Sequence, residues 1–175
     1  MKRFPIRKLT AAALLVAMSI VLTRLLSLNI IPPIVRLSAG NIPIFLASFW
    51  LGPVFGGITG FAADFIGANL FSGWYPPLSL GPVLTGILPG LFVRLTRRDK
   101  LTWWQLLCLV FVCDAITELY WKAQALAWWL GRDFWDVLLA RAPFNLLQAV
   151  IEIGLLFLLL SRLGLRPRLL ESRNK

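Results

Sequence analysis

Long apolar segments constrain the fold of this chain more than any other feature. The longest run over 8–28, 53–71, 79–95, 103–130 and 140–162. A helix rises 1.5 Å per residue, so about 20 apolar residues cross the hydrocarbon core of a bilayer. Hydrophobic residues make up 58% of the chain and charged residues 15%, whereas a soluble domain has about 45–50% and about 25%. The sequence therefore predicts an all-α integral membrane protein.

A shorter apolar segment, 41–51, lies between two sharp breaks. Pro32–Pro33 precedes it and Gly52–Pro53 follows it, and proline interrupts a helix because it lacks the backbone N–H and clashes with the preceding turn. We count this segment as one short or broken crossing. The prediction is then a single transmembrane domain over 1–175. Its six helices are expected at about 8–28, 41–51, 53–71, 79–95, 103–130 and 140–162.

The formal net charge of +10 is concentrated beside the apolar segments. Thirteen of the 18 basic residues lie in three clusters, at the N-terminus, over 94–100 and at the C-terminal end. Six crossings put all three clusters on one side of the membrane, which the positive-inside rule identifies as the cytoplasm. Both termini are therefore predicted to be cytoplasmic. Basic residues distributed in this way do not form a nucleic-acid-binding face.

Several kinds of chemistry lack the residues they need. The chain has no histidine, which excludes Ser–His hydrolysis and the zinc-protease motifs with His ligands. It has no Gly-rich phosphate loop, so it cannot hydrolyse ATP by the Walker route. We expect no enzyme activity, no cofactor and no metal site, and an intramembrane enzyme is the least favoured alternative. A binding subunit driven by other proteins fits these absences.

Polar side chains from separate segments share the outer half of the bilayer in this topology. Ionisable groups at membrane depth usually face a bundle interior, a partner or a water-filled cavity. We predict a ligand pocket open to the outside, in which an excess of basic groups suits an anionic solute and Trp74 or Tyr75 serves as an aromatic lid. The candidate binding residues are Arg24, Asn69, Trp74, Tyr75, Glu118, Lys122, Arg141 and Asn145.

The stretch "DAITELYWK" at 114–122 allows a second interpretation. Asp114, Glu118 and Lys122 are four residues apart and would share one helix face, so Glu118 and Lys122 could simply neutralise each other. Asp64 and Glu152, nearer the middle of the membrane, are expected to accept hydrogen bonds between helices rather than to contact a ligand. Aromatic residues at a membrane surface can also be plain anchors.

Small residues mark the inner half of the first helix. Ala13 and Ala17 form a small-xxx-small step, and such a strip lets another helix approach closely. The partner is either a helix of the same chain or one of a second subunit.

Five features follow one another along the chain: six predicted helices, Ala13-xxx-Ala17, the run "RLSAGNIPIFLASFWLGPVFGGITGFAADFIGANLF" from 36 to 71, "GPVLTGILPGL" and "RAPFNLLQAVIE". Together they resemble the S components of energy-coupling factor (ECF) vitamin transporters. Within that family the folate-specific branch is most similar. The segment after 114 is more charged and richer in tryptophan than that branch would suggest, so another vitamin such as pantothenate stays open.

The resemblance implies how such a protein works. An S component binds a vitamin from outside the cytoplasmic membrane of a prokaryote, and a transmembrane coupling subunit with two ATPase subunits drives uptake. Ala13 and Ala17 would then contact the coupling subunit, while Arg24 and Asn145 would contact the vitamin. The alternative outside this class is a membrane scaffold of the rod-morphogenesis type, which would have no need of a polar outer pocket.

Overall fold

The computed structural model describes residues 6–31, 34–71, 73–96 and 103–162, and these residues are almost entirely helical. Most of the three basic clusters lies outside the described residues. The elements, in chain order, are α1 (Ile6–Ile20), a π-helical turn (Val21–Leu25), β1 (Leu28–Ile31), β2 (Val35–Leu37), α2 (Asn41–Leu51), α3 (Pro53–Phe71), α4 (Pro76–Thr96), α5 (Trp103–Asp114), a π-helical segment (Ala115–Trp121), α6 (Lys122–Leu130) and α7 (Phe134–Arg162).

These elements form six helical units. Asp114 and Trp121, at the two junctions of the second π-helical segment, keep right-handed helical dihedral angles, so α5, that segment and α6 make one continuous helix. Within the described residues, three helices are long and apolar enough to cross a membrane: Ile6–Leu25, Pro76–Leu95 and Phe134–Leu159. The predicted helical class with six helices is confirmed.

Two helices begin earlier than the apolar pattern indicates. α4 starts at Pro76 rather than near 79, because proline is tolerated in the first turn, where the N–H has no partner within the helix. α7 starts at Phe134, after Arg132 and Asp133, and α6 ends just before Gly131, which has a left-handed conformation (φ 61°, ψ 33°). The charged residues between them hide this boundary from a hydropathy pattern.

The segment around the Pro32–Pro33 break, between the first two predicted helices, contains a short antiparallel ribbon, which the sequence analysis missed. β1 and β2 pair Leu28 with Leu37 and Asn29 with Arg36. Alternation over three or four residues is too short to distinguish a strand from a loop. The ribbon lies between the first helix and α2 in the chain.

The short helix α2 lies at the centre of the bundle. Its residues from Asn41 to Phe49 are all buried, and Phe45 and Phe49 are among the largest fully buried side chains. They pack in one apolar cluster with residues of α1, α4, α5 and α7. A helix surrounded in this way is apolar all round, which explains why 41–51 shows no amphipathic pattern.

Glycines allow α3 and α4 to touch backbone to backbone. A Cβ atom placed on Gly60 would lie 2.1 Å from the carbonyl oxygen of Pro82, and one on Gly86 would lie 2.1 Å from that of Gly56. Gly56 and Gly60 form a GxxxG step on α3, which in membranes favours close helix contacts. No side chain fits between the two helices at these points.

We predict that Gly86→Ala lowers the free energy of unfolding by about 2 kcal/mol, because the added methyl group must separate two backbones. Thermal unfolding in detergent measures the effect. The matched control is Gly154→Ala, since a Cβ there meets no heavy atom within 4 Å. Equal melting temperatures for the two variants would contradict the proposed close contact between α3 and α4.

Candidate functional site

A cavity of about 310 Å³ opens between the end of the first helix, the ribbon and the polar parts of the other helices. Its lining combines charged, amide, hydroxyl and aromatic side chains. Those used below are Ser19, Thr23, Arg24, Asn41, Asp64, Tyr75, Glu118, Lys122, Trp129, Arg141 and Gln148. Three of these side chains are cationic and two are acidic, so the lining carries one more positive than negative charge.

Both π-helical segments contribute residues to the cavity. The first contains Thr23 and Arg24, and the second contains Glu118. A π-helical turn inserts an extra residue into a helix and often occurs at functional sites. In this chain the two widened turns carry a cation and an anion of the lining.

Glu118 is the centre of the charged network. Its side chain is 7% exposed. Oε1 accepts hydrogen bonds from the Lys122 ammonium and from Nδ2 of Asn41 at 3.1 Å, and Oε2 lies 3.9 Å from Nη2 of Arg141. A buried carboxylate needs such partners, because removing a charge from water is costly. The predicted pairing of Glu118 with Lys122 is present, and the pair also lines the cavity.

Arg141 joins this network to the ribbon. Its Nη1 donates to the carbonyl oxygen of Ile34, and its Nη2 donates to the carbonyl oxygen of Glu118 at 3.0 Å. The guanidinium therefore holds the β1–β2 region against α7 and the second π-helical segment. Its charge is largely committed to these contacts.

A second layer of polar groups lies below Glu118. Asn41 also donates to Oε1 of Glu152 at 3.2 Å, and the same oxygen accepts from Nε2 of Gln148 at 2.8 Å. Glu152 is fully buried and Asp114 is 7% exposed. The carboxylate of Asp114 accepts no hydrogen bond from an amide, hydroxyl or cationic group among the described residues. Glu152 thus has the role that the sequence suggested, an acceptor between helices.

Aromatic rings border the cavity on the side of the α3–α4 connection. Tyr75 stacks on Trp129, with ring centroids 6.1 Å apart and an interplanar angle of 24°. Both residues line the cavity. Trp74 points away from this pair and packs edge-on against Phe65 at 5.0 Å. Of the two lid candidates, Tyr75 is the one that reaches the cavity.

The eight predicted binding residues divide into two groups. Arg24, Tyr75, Glu118, Lys122 and Arg141 line the cavity.

The other three do not line it. Asn69 is exposed and donates a hydrogen bond to the carbonyl oxygen of Phe65. Trp74 donates one to the Ser79 hydroxyl. Asn145 is half-buried, and its buried Nδ2 donates no hydrogen bond to any of the described residues. Contact with a ligand stays a prediction for all eight.

Several lining residues escaped the sequence analysis. Asn41 offered one signal, since it is the only strongly polar residue of an apolar helix. Gln148 precedes Glu152 by one turn, and Trp129 belongs to a pair of tryptophans at the end of α6. Ser19 and Thr23 lie one turn apart in an apolar helix and look like ordinary membrane residues, so nothing in the sequence marked them.

The small residues of α1 face away from the bundle. Ala13 and Ala17 are exposed, whereas Ala12 and Leu15 are buried. Among the described residues, no helix of the same chain covers the Ala13–Ala17 strip. This surface is available to lipid or to a second protein.

Comparison with known proteins gives consistent results. Residues 3–164 match the family model described as "ECF-type riboflavin transporter, S component". A curated relative, the folate transporter FolT of Clostridium novyi (strain NT), is 30% identical over 82 residues, which is 46% of this chain and 46% of the relative. The match therefore spans about half the length of that relative.

Solved structures share the fold at low sequence identity. The crystal structure of FolT bound with folic acid superposes with a TM-score of 0.76 at 19% identity, covering 88% of this chain and 92% of FolT. The S component of a bacterial ECF transporter gives 0.69 at 22% identity, covering 90% and 95%. The S component for biotin gives 0.67 at 21% identity, covering 89% and 92%.

The family model matches nearly the whole chain, and the six helices have the S-component fold, so the resemblance seen in the sequence is confirmed at the level of the family. A membrane scaffold of the rod-morphogenesis type is excluded. The chain is a membrane protein that belongs to the ECF-type riboflavin transporter S component family.

Proposed function

We propose that this protein is the substrate-binding subunit of an ATP-driven ECF importer and that its vitamin is folate. The observation that carries the proposal is the cavity itself, which combines a buried carboxylate, amide groups, an aromatic pair and a net positive charge in one S-component fold. The similarity to FolT in sequence and in structure supports the same vitamin.

The chemistry of folate matches the two ends of the cavity. A pterin ring presents hydrogen-bond donors and acceptors along its edge, and Glu118, Asn41 and Gln148 supply complementary groups at the buried end. A glutamate tail carries carboxylates, which a guanidinium binds well. Arg24 pairs with Asp64 of α3, whereas Lys122 and Arg141 pair with Glu118, so we assign the tail to Arg24.

The aromatic pair and the volume narrow the choice further. Tyr75 and Trp129 offer faces on which a ring of the ligand can stack. The cavity of about 310 Å³ is at the lower end of the range of about 300–1,000 Å³ for ligand pockets. The ring system would fill it and the tail would lie at the mouth.

Other vitamins fit this lining less well. Riboflavin, named in the description of the family model, is uncharged and would make no use of the net positive charge of the lining. Pantothenate is anionic but has no aromatic ring to stack on Tyr75 and Trp129. Folate satisfies both features, and another vitamin of this family is the alternative.

The orientation in the membrane follows from charge. We propose six crossings in a prokaryotic cytoplasmic membrane, with both termini in the cytoplasm and the cavity open to the outside. The exposed strip of Ala13 and Ala17 lies on the inner half of α1 in this orientation. We assign this strip to the transmembrane coupling subunit, which two ATPase subunits would drive.

A thermal-shift screen of the detergent-purified protein tests the ligand. We predict that folic acid and 5-formyl-tetrahydrofolate raise the melting temperature, since a ligand at a hundred times its dissociation constant adds about 2.7 kcal/mol to stability. Riboflavin, pantothenate, thiamine and biotin should not. Arg24→Ala should weaken folate binding roughly ten- to a hundred-fold, the range for a lost charged hydrogen bond.

The matched control for that variant is Arg94→Ala, because Arg94 is exposed at the end of α4 and should bind folate as the unaltered protein does. If only riboflavin or pantothenate raised the melting temperature, that vitamin and not folate would be the ligand. A shift with none of these vitamins would contradict the proposed function.

Substitutions on α1 test the partner surface. We predict that Ala13→Leu combined with Ala17→Leu leaves folate binding unchanged but abolishes co-purification with the coupling subunit, because bulky side chains prevent close helix approach. Gly154→Leu, on an open face of α7, is the control and should still co-purify. Normal co-purification of the variant that combines Ala13→Leu with Ala17→Leu would contradict the assignment of the interface to this strip.

A further inference from the structure

The two carboxylate oxygens of Asp64 serve different neighbours. Oδ1 lies 3.8 Å from Nη2 of Arg24, on the first helix. Oδ2 accepts a hydrogen bond of 2.6 Å from the hydroxyl of Ser79, in the first turns of α4. Asp64, in the middle of α3, therefore connects a cation of the cavity lining to the beginning of the next helix.

The chain of hydrogen bonds continues into the α3–α4 connection. The indole N–H of Trp74 donates to Oγ of Ser79 at 2.7 Å, and Ser79 is 2% exposed. An indole nitrogen can only donate and a carboxylate can only accept. The direction is therefore fixed from Trp74 through Ser79 to Asp64, and the charge at the end strengthens each bond.

Arg24 has a second restraint on the same helix. A Cβ atom on Gly67 would lie 3.1 Å from Nε of Arg24, so the guanidinium group passes directly over the glycine. Asp64 and Gly67 are three residues apart and share one face of α3. Asp64 supplies a negative charge for the Arg24 guanidinium, and Gly67 leaves room for it beside α3. The Arg24 side chain is only 9% exposed.

The far end of the chain is at the cavity mouth. Gly73 and Tyr75, on either side of Trp74, both line the cavity. Trp74 is fixed by its hydrogen bond and by its edge contact with Phe65. The position of Trp74 thereby sets where Tyr75 stands relative to Trp129.

We infer that Asp64 is a positioning residue that seats Arg24 in the cavity and couples it, through Ser79 and Trp74, to the segment 73–75 at the mouth. Binding of an anionic group by Arg24 then changes the strength of the hydrogen bonds that fix that segment, and the segment slows the release of the ligand. The link to ligand retention rests on the proposed function, whereas the coupling between Arg24 and Trp74 exists without ligand.

Indole spectra of the ligand-free protein test the coupling. The chain has eight tryptophans, so labelling them with ¹⁵N gives a small set of indole N–H signals, and Trp74→Phe identifies that of Trp74. Ser79→Ala and Asp64→Asn should shift this signal toward that of an indole without a hydrogen bond. Gly67→Ala, which pushes Arg24 away from Asp64 and leaves the hydrogen-bonded groups in place, should shift it in the opposite direction, because a carboxylate with a weaker cation partner accepts a stronger hydrogen bond.

The control for the glycine variant is Gly154→Ala, which should leave the Trp74 signal unchanged. If the Trp74 signal shifts in Ser79→Ala but not in Gly67→Ala, the coupling to Arg24 is wrong, since the series of hydrogen bonds would then end at Asp64. No response to Ser79→Ala would overturn the hydrogen-bond chain altogether.

Dissociation of tritiated folic acid tests the consequence for the ligand. Trp74→Phe keeps an aromatic ring but removes the N–H, so the dissociation rate should rise about five-fold, as for one lost hydrogen bond, while the association rate stays the same. Trp128→Phe is the control, because Trp128 is 60% exposed. Equal dissociation rates for the two variants would overturn the retention role.

The two proposals fail separately. If the unaltered protein does not bind folic acid, the proposed function is wrong, and the indole spectra still decide whether Asp64 couples Arg24 to Trp74.

Discussion

The buried carboxylate of Glu118 is the group on which the cavity depends. Lys122 and Arg141 bring their charges to it from two helices, and Asn41 brings an amide from the central helix α2. In a low-dielectric interior the loss of this carboxylate would leave two cations without an anion, at a cost of several kcal/mol. The ribbon depends on the same group indirectly, since Arg141 holds Ile34 while it faces Glu118. One side chain thus fixes the arrangement of four elements around the site.

The remaining parts of the cavity follow from that arrangement. Lys122 and Arg141 pair with Glu118, whereas the third cation of the lining, Arg24, pairs with Asp64, and the Tyr75–Trp129 stack lies at the border. A buried polar end, an aromatic border and a further cation suit a ligand that is heteroaromatic at one end and anionic at the other. This is the basis on which we propose folate as the ligand.

Sequence reasoning reached the parts of the structure that local pattern controls. The lengths of the apolar segments predicted the helices, and proline and glycine predicted the breaks between them. The spacing of Glu118 and Lys122 predicted their ion pair. It did not find the π-helical segments, which carry Arg24 and Glu118, because a widened turn depends on tertiary contacts. It also favoured Asn145 over Gln148, since residues three apart share a helix face and spacing does not say how far along that face a cavity extends. Asn41 joins two acids that are 77 and 111 residues away, a relation that only the folded chain reveals.

The most direct test of the central role of Glu118 compares the ligand-free stability of Glu118→Gln with that of Glu118→Gln combined with Lys122→Met. The single variant should lose about 3 kcal/mol of unfolding free energy, because Lys122 and Arg141 keep their charges without a carboxylate. The double variant should recover part of this loss, since one of the two stranded charges has gone. Thermal unfolding of both proteins in the same detergent gives the answer. A double variant less stable than the single one, or a single variant as stable as the unaltered protein, would contradict the account.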